Sequence, residues 1–199
     1  MKSICIFGDS ITWGAGDYEK GGWVNRLRLF ADDQRIGAWT YNLGISGDNT
    51  NDLLVRFEVE ADAREADILI FSIGANDSAY TDTKDNHPVP LKGFEKNIAR
   101  LILAAKKITK KIVFVGLTHV DEKKTMPVKW DKSFYYENIN VALYDAEIKK
   151  ATTHYGVDFI PLVDAIKTKD LADGLHPNAK GHQKIFEEVR DFLIEKRWI

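Results

Sequence analysis

The chain is short of cysteine, of long apolar runs and of net charge, and each shortage removes a class of function. Its one cysteine, Cys5, cannot form an intramolecular disulfide, which fits a reduced, cytoplasmic setting. No apolar run approaches the ~20 residues of a membrane helix. Met1-Lys2 leads directly into an apolar segment, so neither a secretory leader nor a membrane anchor is expected. Twenty-eight basic residues against 30 acidic ones leave a formal charge of −2. No basic stripe is present to track a phosphate backbone, so nucleic acid is not an expected partner. The Lys106-Lys107 and Lys110-Lys111 pairs flank a helix-to-strand turn and read as solvated surface. The sequence also lacks histidine pairs of the H-x-H or H-E-x-x-H kind and a G-x-x-x-x-G-K-[ST] loop. A catalytic metal is therefore not expected, and P-loop chemistry is excluded.

What the chain does have is 199 residues, 44% of them hydrophobic, which suits one domain over residues 1–199 with a sizeable core. Ile4 to Phe7 is unbroken and apolar, as in a strand buried on both faces of a parallel sheet. Further strand candidates follow at 39–43, 68–73, 112–117 and 157–160. Between them lie amphipathic stretches that predict helices. These cover 22–36, 51–66 (with Leu54, Phe57 and Ala61 on one side), 91–105, 134–155 and 179–197. In the stretch 134–155 the predicted inner face carries Ile139, Leu143 and Ala146. Strands alternating with helices imply parallel βαβ units with right-handed crossovers. The expected fold is α/β, a three-layer α/β/α sandwich on a five-stranded parallel sheet. Residues 75–90 and 118–133 are long connections after strand ends, and both should border one crevice.

The first apolar run stops at Gly8-Asp9-Ser10, at the carboxyl end of a central strand, where open α/β sheets place their ligands. Ser10 can react there, bind there, or belong to a helix cap formed by Asp9, Ser10 or Thr12. Partners for a reactive serine occur far along the chain. Asp173-Gly174-Leu175-His176-Pro177-Asn178 sets an aspartate and a histidine three residues apart before a helix. His176 can act as general base and Asp173 can hold its ring, although the same residues also suit an Asp-initiated turn with Pro177 at the helix start. Ser46-Gly47-Asp48-Asn49 and Gly74-Ala75-Asn76-Asp77 each follow a strand. There Gly47 could bring a backbone N–H close to a ligand, and the Asn76 amide could donate to an oxyanion. Both are also ordinary turn sequences.

Taken together, FGDSIT, the glycine of ISGDN, GAND and DGLHPN resemble blocks I, II, III and V of the SGNH, or GDSL, hydrolase superfamily. They occur in that family's order across residues 5–178. The resemblance implies a flavodoxin-like fold, with Ser10 as nucleophile, His176 as base and Asp173 as the third triad member. It also implies an oxyanion hole from Ser10 N–H, Gly47 N–H and the Asn76 side chain. The serine chemistry that follows requires no metal or organic cofactor, and a small, soluble ester is the expected substrate because nothing in the sequence indicates a membrane-facing amphipathic segment. GDSL itself reads GDSI here, a conservative departure. Because His176 must be neutral to act as base, the rate should fall below about pH 6–7.

Esterases of short acyl groups, lysophospholipases, thioesterases and carbohydrate acetylesterases share these blocks. The loops 75–90 and 118–133 should therefore set acyl length and alcohol, and nothing in the sequence sets an oligomeric state. Trp13, Tyr80, Trp130, Phe134 and Tyr135 are candidate pocket walls or satellite core. Other chemistries fit less well. The α/β-hydrolase elbow G-x-S-x-G would need glycine where Thr12 stands. An aspartyl-nucleophile phosphatase built on Asp9 would want an acid at Ile11. A non-catalytic flavodoxin-like binding module would explain the first loop and leave Asp173 and His176 without a role.

Overall fold

A computed structural model describes residues 1–199. The chain runs β1 (Lys2–Gly8), α1 (Ser10–Trp13), α2 (Gly22–Asp33), β2 (Ala38–Gly44), α3 (Thr50–Asp62), β3 (Ile68–Ser72), α4 (Ala75–Ser78), β4 (Tyr80–Thr81) and α5 (Leu91–Ile108). It continues through β5 (Ile112–Val115), α6 (Glu122–Thr125), β6 (Phe134–Tyr135), α7 (Asn138–Tyr155), β7 (Asp158–Ile160), a 3-10 turn at Thr168–Asp170 and α8 (Ala179–Glu195). Five strands pair in parallel in the order β2-β1-β3-β5-β7. This is the flavodoxin-like order, in which the chain reverses direction across the sheet between β1 and β3.

Successive side chains of a strand point to opposite faces, so an uninterrupted apolar run serves two cores at once. Ile4 and Ile6 of β1 join Ile68, Ile70, Val113 and Val115 against Trp23 and Leu27 of α2 and Ile185 and Val189 of α8. Cys5 and Phe7 join Leu69, Phe71 and Phe114 against α3, α5 and α7. On that second face three strand phenylalanines stack in a row, Phe7 to Phe71 at 5.8 Å and Phe71 to Phe114 at 4.8 Å between centroids. Phe57 of α3 meets Phe7 and Phe71 edge-on, the arrangement aromatic quadrupoles favour.

The expected three layers and five parallel strands are present, with differences at element ends and in one helix. The stretch 22–36 is helical only to Asp33, because Arg35 takes a left-handed φ of 53°. The stretch 134–155 is helical only from Asn138, and Phe134–Tyr135 is a strand paired antiparallel with Tyr80–Thr81. This clasp joins the two long loops, with Tyr80 and Tyr135 stacked at 4.9 Å. The predicted inner face of α7 is also corrected: Ile139 is 65% and Leu143 49% exposed, while Val141, Tyr144, Ile148 and Ala151 are buried. Apolar residues occupy both sides of this helix, so periodicity alone does not choose. Tyr144 does, by packing on Phe94 at 4.8 Å and donating its hydroxyl to the Val89 carbonyl at 2.6 Å.

Candidate active site

Gly8 ends β1 where nothing larger fits, since a Cβ there would lie 2.1 Å from Thr12 Oγ1 and 2.2 Å from the Ser72 carbonyl. Asp9 then caps α1, its carboxylate accepting the Ile11 N–H at 2.9 Å. The capping function expected of this stretch thus belongs to Asp9, which leaves the Ser10 hydroxyl free to point elsewhere. Gly14, at φ 113°, ends the helix after one turn.

Ser10 Oγ lies 2.9 Å from His176 Nε2, across 166 residues of sequence. His176 Nδ1–H donates to Asp173 Oδ2 at 2.7 Å. The other oxygen, Asp173 Oδ1, accepts the backbone N–H groups of Leu175 at 3.0 Å and His176 at 2.8 Å. The Asp-initiated turn and the aiming of the imidazole are therefore one structure. Gly174 makes it possible at φ 105°, and its carbonyl accepts the Asp121 N–H at 2.8 Å. Burial works to raise the Asp173 pKa, but the hydrogen bonds from the His176 ring and backbone outweigh it and hold the carboxyl at about 2. An ionised acceptor at Nδ1 fixes the proton on that nitrogen. The Nε2 lone pair then faces the serine hydroxyl.

Asn76, in α4, has its amide held at both ends. Its Oδ1 accepts the Tyr136 hydroxyl at 2.7 Å, and its Nδ2 donates to the Asp48 carbonyl at 2.8 Å. One of the two Nδ2 hydrogens remains available. Gly47 sits at φ 91°, and a Cβ there would meet open space. Glycine is needed for its backbone conformation rather than for room. Ser10, Gly47, Asn76 and His176 line a single cleft of about 480 Å³. Its far walls come from the two loops through Pro88, Trp130 and Phe134, with the Trp130 ring 5.7 Å from that of His176. Trp130 and Phe134 thus border the site, Tyr80 and Tyr135 form the clasp, and Trp13 faces a neighbouring cleft.

One residue that lines this cleft carries no signal in the sequence. Tyr136 is hidden in a run of aromatics 60 residues from Asn76. Burial pushes its phenol pKa up, so it stays a hydrogen-bond donor. Asp77 is fully buried and accepts both the N–H and the hydroxyl of Thr50, tying α4 to the start of α3; burial pushes its carboxyl up to about 7. Asp9 is raised to about 6 for the same reason. His182 is a buried packing residue. Its Nε2–H donates to the Ala15 carbonyl at 2.9 Å and its Nδ1 accepts the Trp23 N–H at 3.2 Å.

The likeness to known proteins covers nearly the whole chain. Residues 6–184 match the GDSL-like Lipase/Acylhydrolase family. A GDSL esterase/lipase of Arabidopsis thaliana is 27% identical, with 98% of this chain and 86% of the relative covered. The human isoamyl acetate-hydrolyzing esterase 1 homolog is 26% identical, with 98% and 82% covered. Among solved structures, the acetylxylan esterase Axe2 of Geobacillus stearothermophilus superposes with a TM-score of 0.75 at 22% identity, over 98% of this chain and 93% of that one. LAE5, an alpha/beta hydrolase enzyme from a Lake Arreo metagenome, gives 0.73 at 22% identity, over 97% and 94%. At these identities the two structures speak for the fold, and the family match speaks for more: this chain is a member of the GDSL-like lipase/acylhydrolase family, a family of ester-hydrolysing enzymes.

Proposed function

We propose that the protein is a serine esterase that hydrolyses small carboxylic esters through an acyl-enzyme on Ser10. The observation that carries this is the unbroken relay from Ser10 Oγ to His176 Nε2 at 2.9 Å and from His176 Nδ1 to Asp173 at 2.7 Å. In the proposed mechanism Ser10 attacks the ester carbonyl while His176 takes its proton, and Asp173 steadies the imidazolium that results. Ser10 N–H, Gly47 N–H and the free Asn76 Nδ2–H receive the oxyanion; each such donor contributes ~2.7–4 kcal/mol to lowering the barrier. His176 then returns the proton to the departing alcohol and activates the water that frees the acid.

A cleft of about 480 Å³ walled by Trp130 and Phe134 favours a short or medium acyl group over a lipid tail. Residues 1–199 are proposed to act as one hydrolase domain, since the sheet draws its strands from Lys2 to Ile160 and α8 returns to pack on α2. No helix is long and apolar enough to cross a membrane. A cytoplasmic location is proposed with the activity and is checked by cell fractionation. The chemistry is tested by Ser10→Ala, which should abolish p-nitrophenyl acetate hydrolysis with the circular dichroism spectrum unchanged. Activity retained within about twofold would remove Ser10 from the nucleophile role.

A further inference from the structure

The turn that carries Gly47 is held by hydrogen bonds rather than by packing. Ile45, Ser46 and Gly47 are all exposed, and a Cβ on Gly47 would meet open space. Asp48 N–H donates to the Ile45 carbonyl at 3.1 Å, which closes the turn with Gly47 at φ 91°. At its start the turn hangs from β1, where Ile45 N–H donates to the Gly8 carbonyl at 3.0 Å. Exposed segments with few buried contacts open most easily. An oxyanion donor, by contrast, must be held close to one position.

Arg56 of α3 supplies the second attachment, with a side chain only 14% exposed. Its Nε donates to Asp48 Oδ2 at 2.7 Å. Its Nη2 donates to the carbonyls of Leu43 at 2.9 Å and Gly8 at 3.3 Å. Glu60 Oε2 accepts from Nη1 at 3.1 Å, and the guanidinium lies 5.9 Å from the centre of the Phe7 ring. A planar fork of donors can grip the ends of two strands and a carboxylate together, which a single ammonium does poorly. The bonds form a closed ring. It runs from the Gly8 carbonyl to Ile45, through the turn to the Asp48 carboxylate, and back to Gly8 through Arg56.

This ring touches every group proposed to hold the oxyanion. The Gly8 carbonyl lies one peptide unit before the Ser10 N–H. Gly47 N–H lies within the turn. The Asp48 carbonyl accepts Asn76 Nδ2–H at 2.8 Å, so the third donor is tied to the same turn. Arg56 itself does not line the catalytic cleft. Burying an ion pair costs desolvation that its attraction often only matches, so stability alone is a weak reason for one here. Placement is a better one.

We infer that Arg56 is a positioning residue for the oxyanion hole, fixing the Gly47 turn and, through Asp48, the Asn76 amide relative to Ser10. This rests on the esterase reading of Ser10. Arg56 meets neither the ester nor the triad and acts only through the donors it aligns.

The test measures p-nitrophenyl acetate kinetics and inhibition by phenylboronic acid, which forms a tetrahedral anion on a reactive serine. Folded Arg56→Met should lose about tenfold to a hundredfold in kcat with KM within about threefold of wild type. Ki for the boronic acid should rise in step with the loss in kcat, and Arg56→Lys should recover part of both. A role in stability alone would lower the urea midpoint and leave kcat and Ki within about twofold, which overturns the inference. So does a loss confined to KM, or a fall in kcat with Ki unchanged. Should Arg56→Met not fold, Asp48→Asn carries the test, with a smaller change of the same kind expected and unchanged kcat and Ki decisive against it. A wild type that does not hydrolyse p-nitrophenyl acetate defeats the esterase reading and this inference with it. An active wild type silenced by Ser10→Ala but indifferent to Arg56→Met defeats the inference alone.

Discussion

The Tyr136 hydroxyl donates to Asn76 Oδ1 at 2.7 Å, and together with the Asp48 carbonyl, which can only accept and takes the Nδ2–H at 2.8 Å, it fixes which way the Asn76 amide is turned. With Oδ1 committed to Tyr136, the donor end Nδ2 is turned toward the Asp48 carbonyl and the reaction space. In the proposed mechanism Tyr136 is thus a positioning residue that acts through Asn76.

Tyr136→Phe keeps the buried ring and removes only that hydroxyl. We expect kcat for p-nitrophenyl acetate to fall about tenfold with KM little changed, since a transition-state interaction is what loosens. Stability should drop by only about 1 kcal/mol, the usual worth of one such hydrogen bond. A change confined to KM would argue that Tyr136 shapes the pocket and does not orient the amide.

Asp173→Asn should be far more damaging than its small change in shape suggests. An asparagine amide opposite Nδ1 favours the tautomer with the proton on Nε2, which cannot accept the Ser10 proton. Steady-state kinetics should show kcat reduced by about 10³–10⁴ with KM nearly constant. A loss smaller than about tenfold would mean that the carboxylate does not set the tautomer.

Asp77 supplies one pH-dependent term in stability. Burial raises its folded pKa to about 7, above the ordinary carboxylate range, so the folded state holds this proton more firmly than the unfolded chain. The stability it contributes is complete below about pH 4 and is lost as pH rises through 7. Urea unfolding of wild type and Asp77→Asn should therefore show a difference that shifts against the wild type from pH 4 to pH 7 and is flat above. A difference moving in favour of the wild type over that range would mean the native site prefers the carboxylate.

Phe71 contacts Phe7, Phe57 and Phe114 at the centre of one core and is fully buried. Phe71→Ala should cost ~3–5 kcal/mol in urea unfolding, because rings on both sides would line the cavity it leaves. A cost below about 1 kcal/mol would mean that this face repacks freely.

The layers and the convergence of Asp173 and His176 on one turn were legible in the sequence for a physical reason. A strand buried on both faces must be apolar throughout, so Ile4–Phe7 and Ile68–Phe71 stand out without context. Asp173 and His176 share one turn, so their spacing carries geometry as well as chemistry. What escaped was long-range or two-sided. Tyr136 meets Asn76 only because the clasp of Tyr80–Thr81 with Phe134–Tyr135 brings the two loops together, and strands of two residues have no periodicity to detect. Helix α7 has apolar residues on both sides, so its inner face was fixed by Phe94 and Val89, which no local pattern could reveal.

The central claim is that His176 activates Ser10 for acyl transfer. It is tested most directly by rapid-quench mass spectrometry of the protein mixed with p-nitrophenyl acetate, followed by peptide mapping. The account predicts an acetyl group on the Ser10 peptide within the first turnover, absent in Ser10→Ala and all but lost in His176→Ala. Acetylation of another residue at a kinetically competent rate, or equal labelling of Ser10 without the histidine, would contradict it.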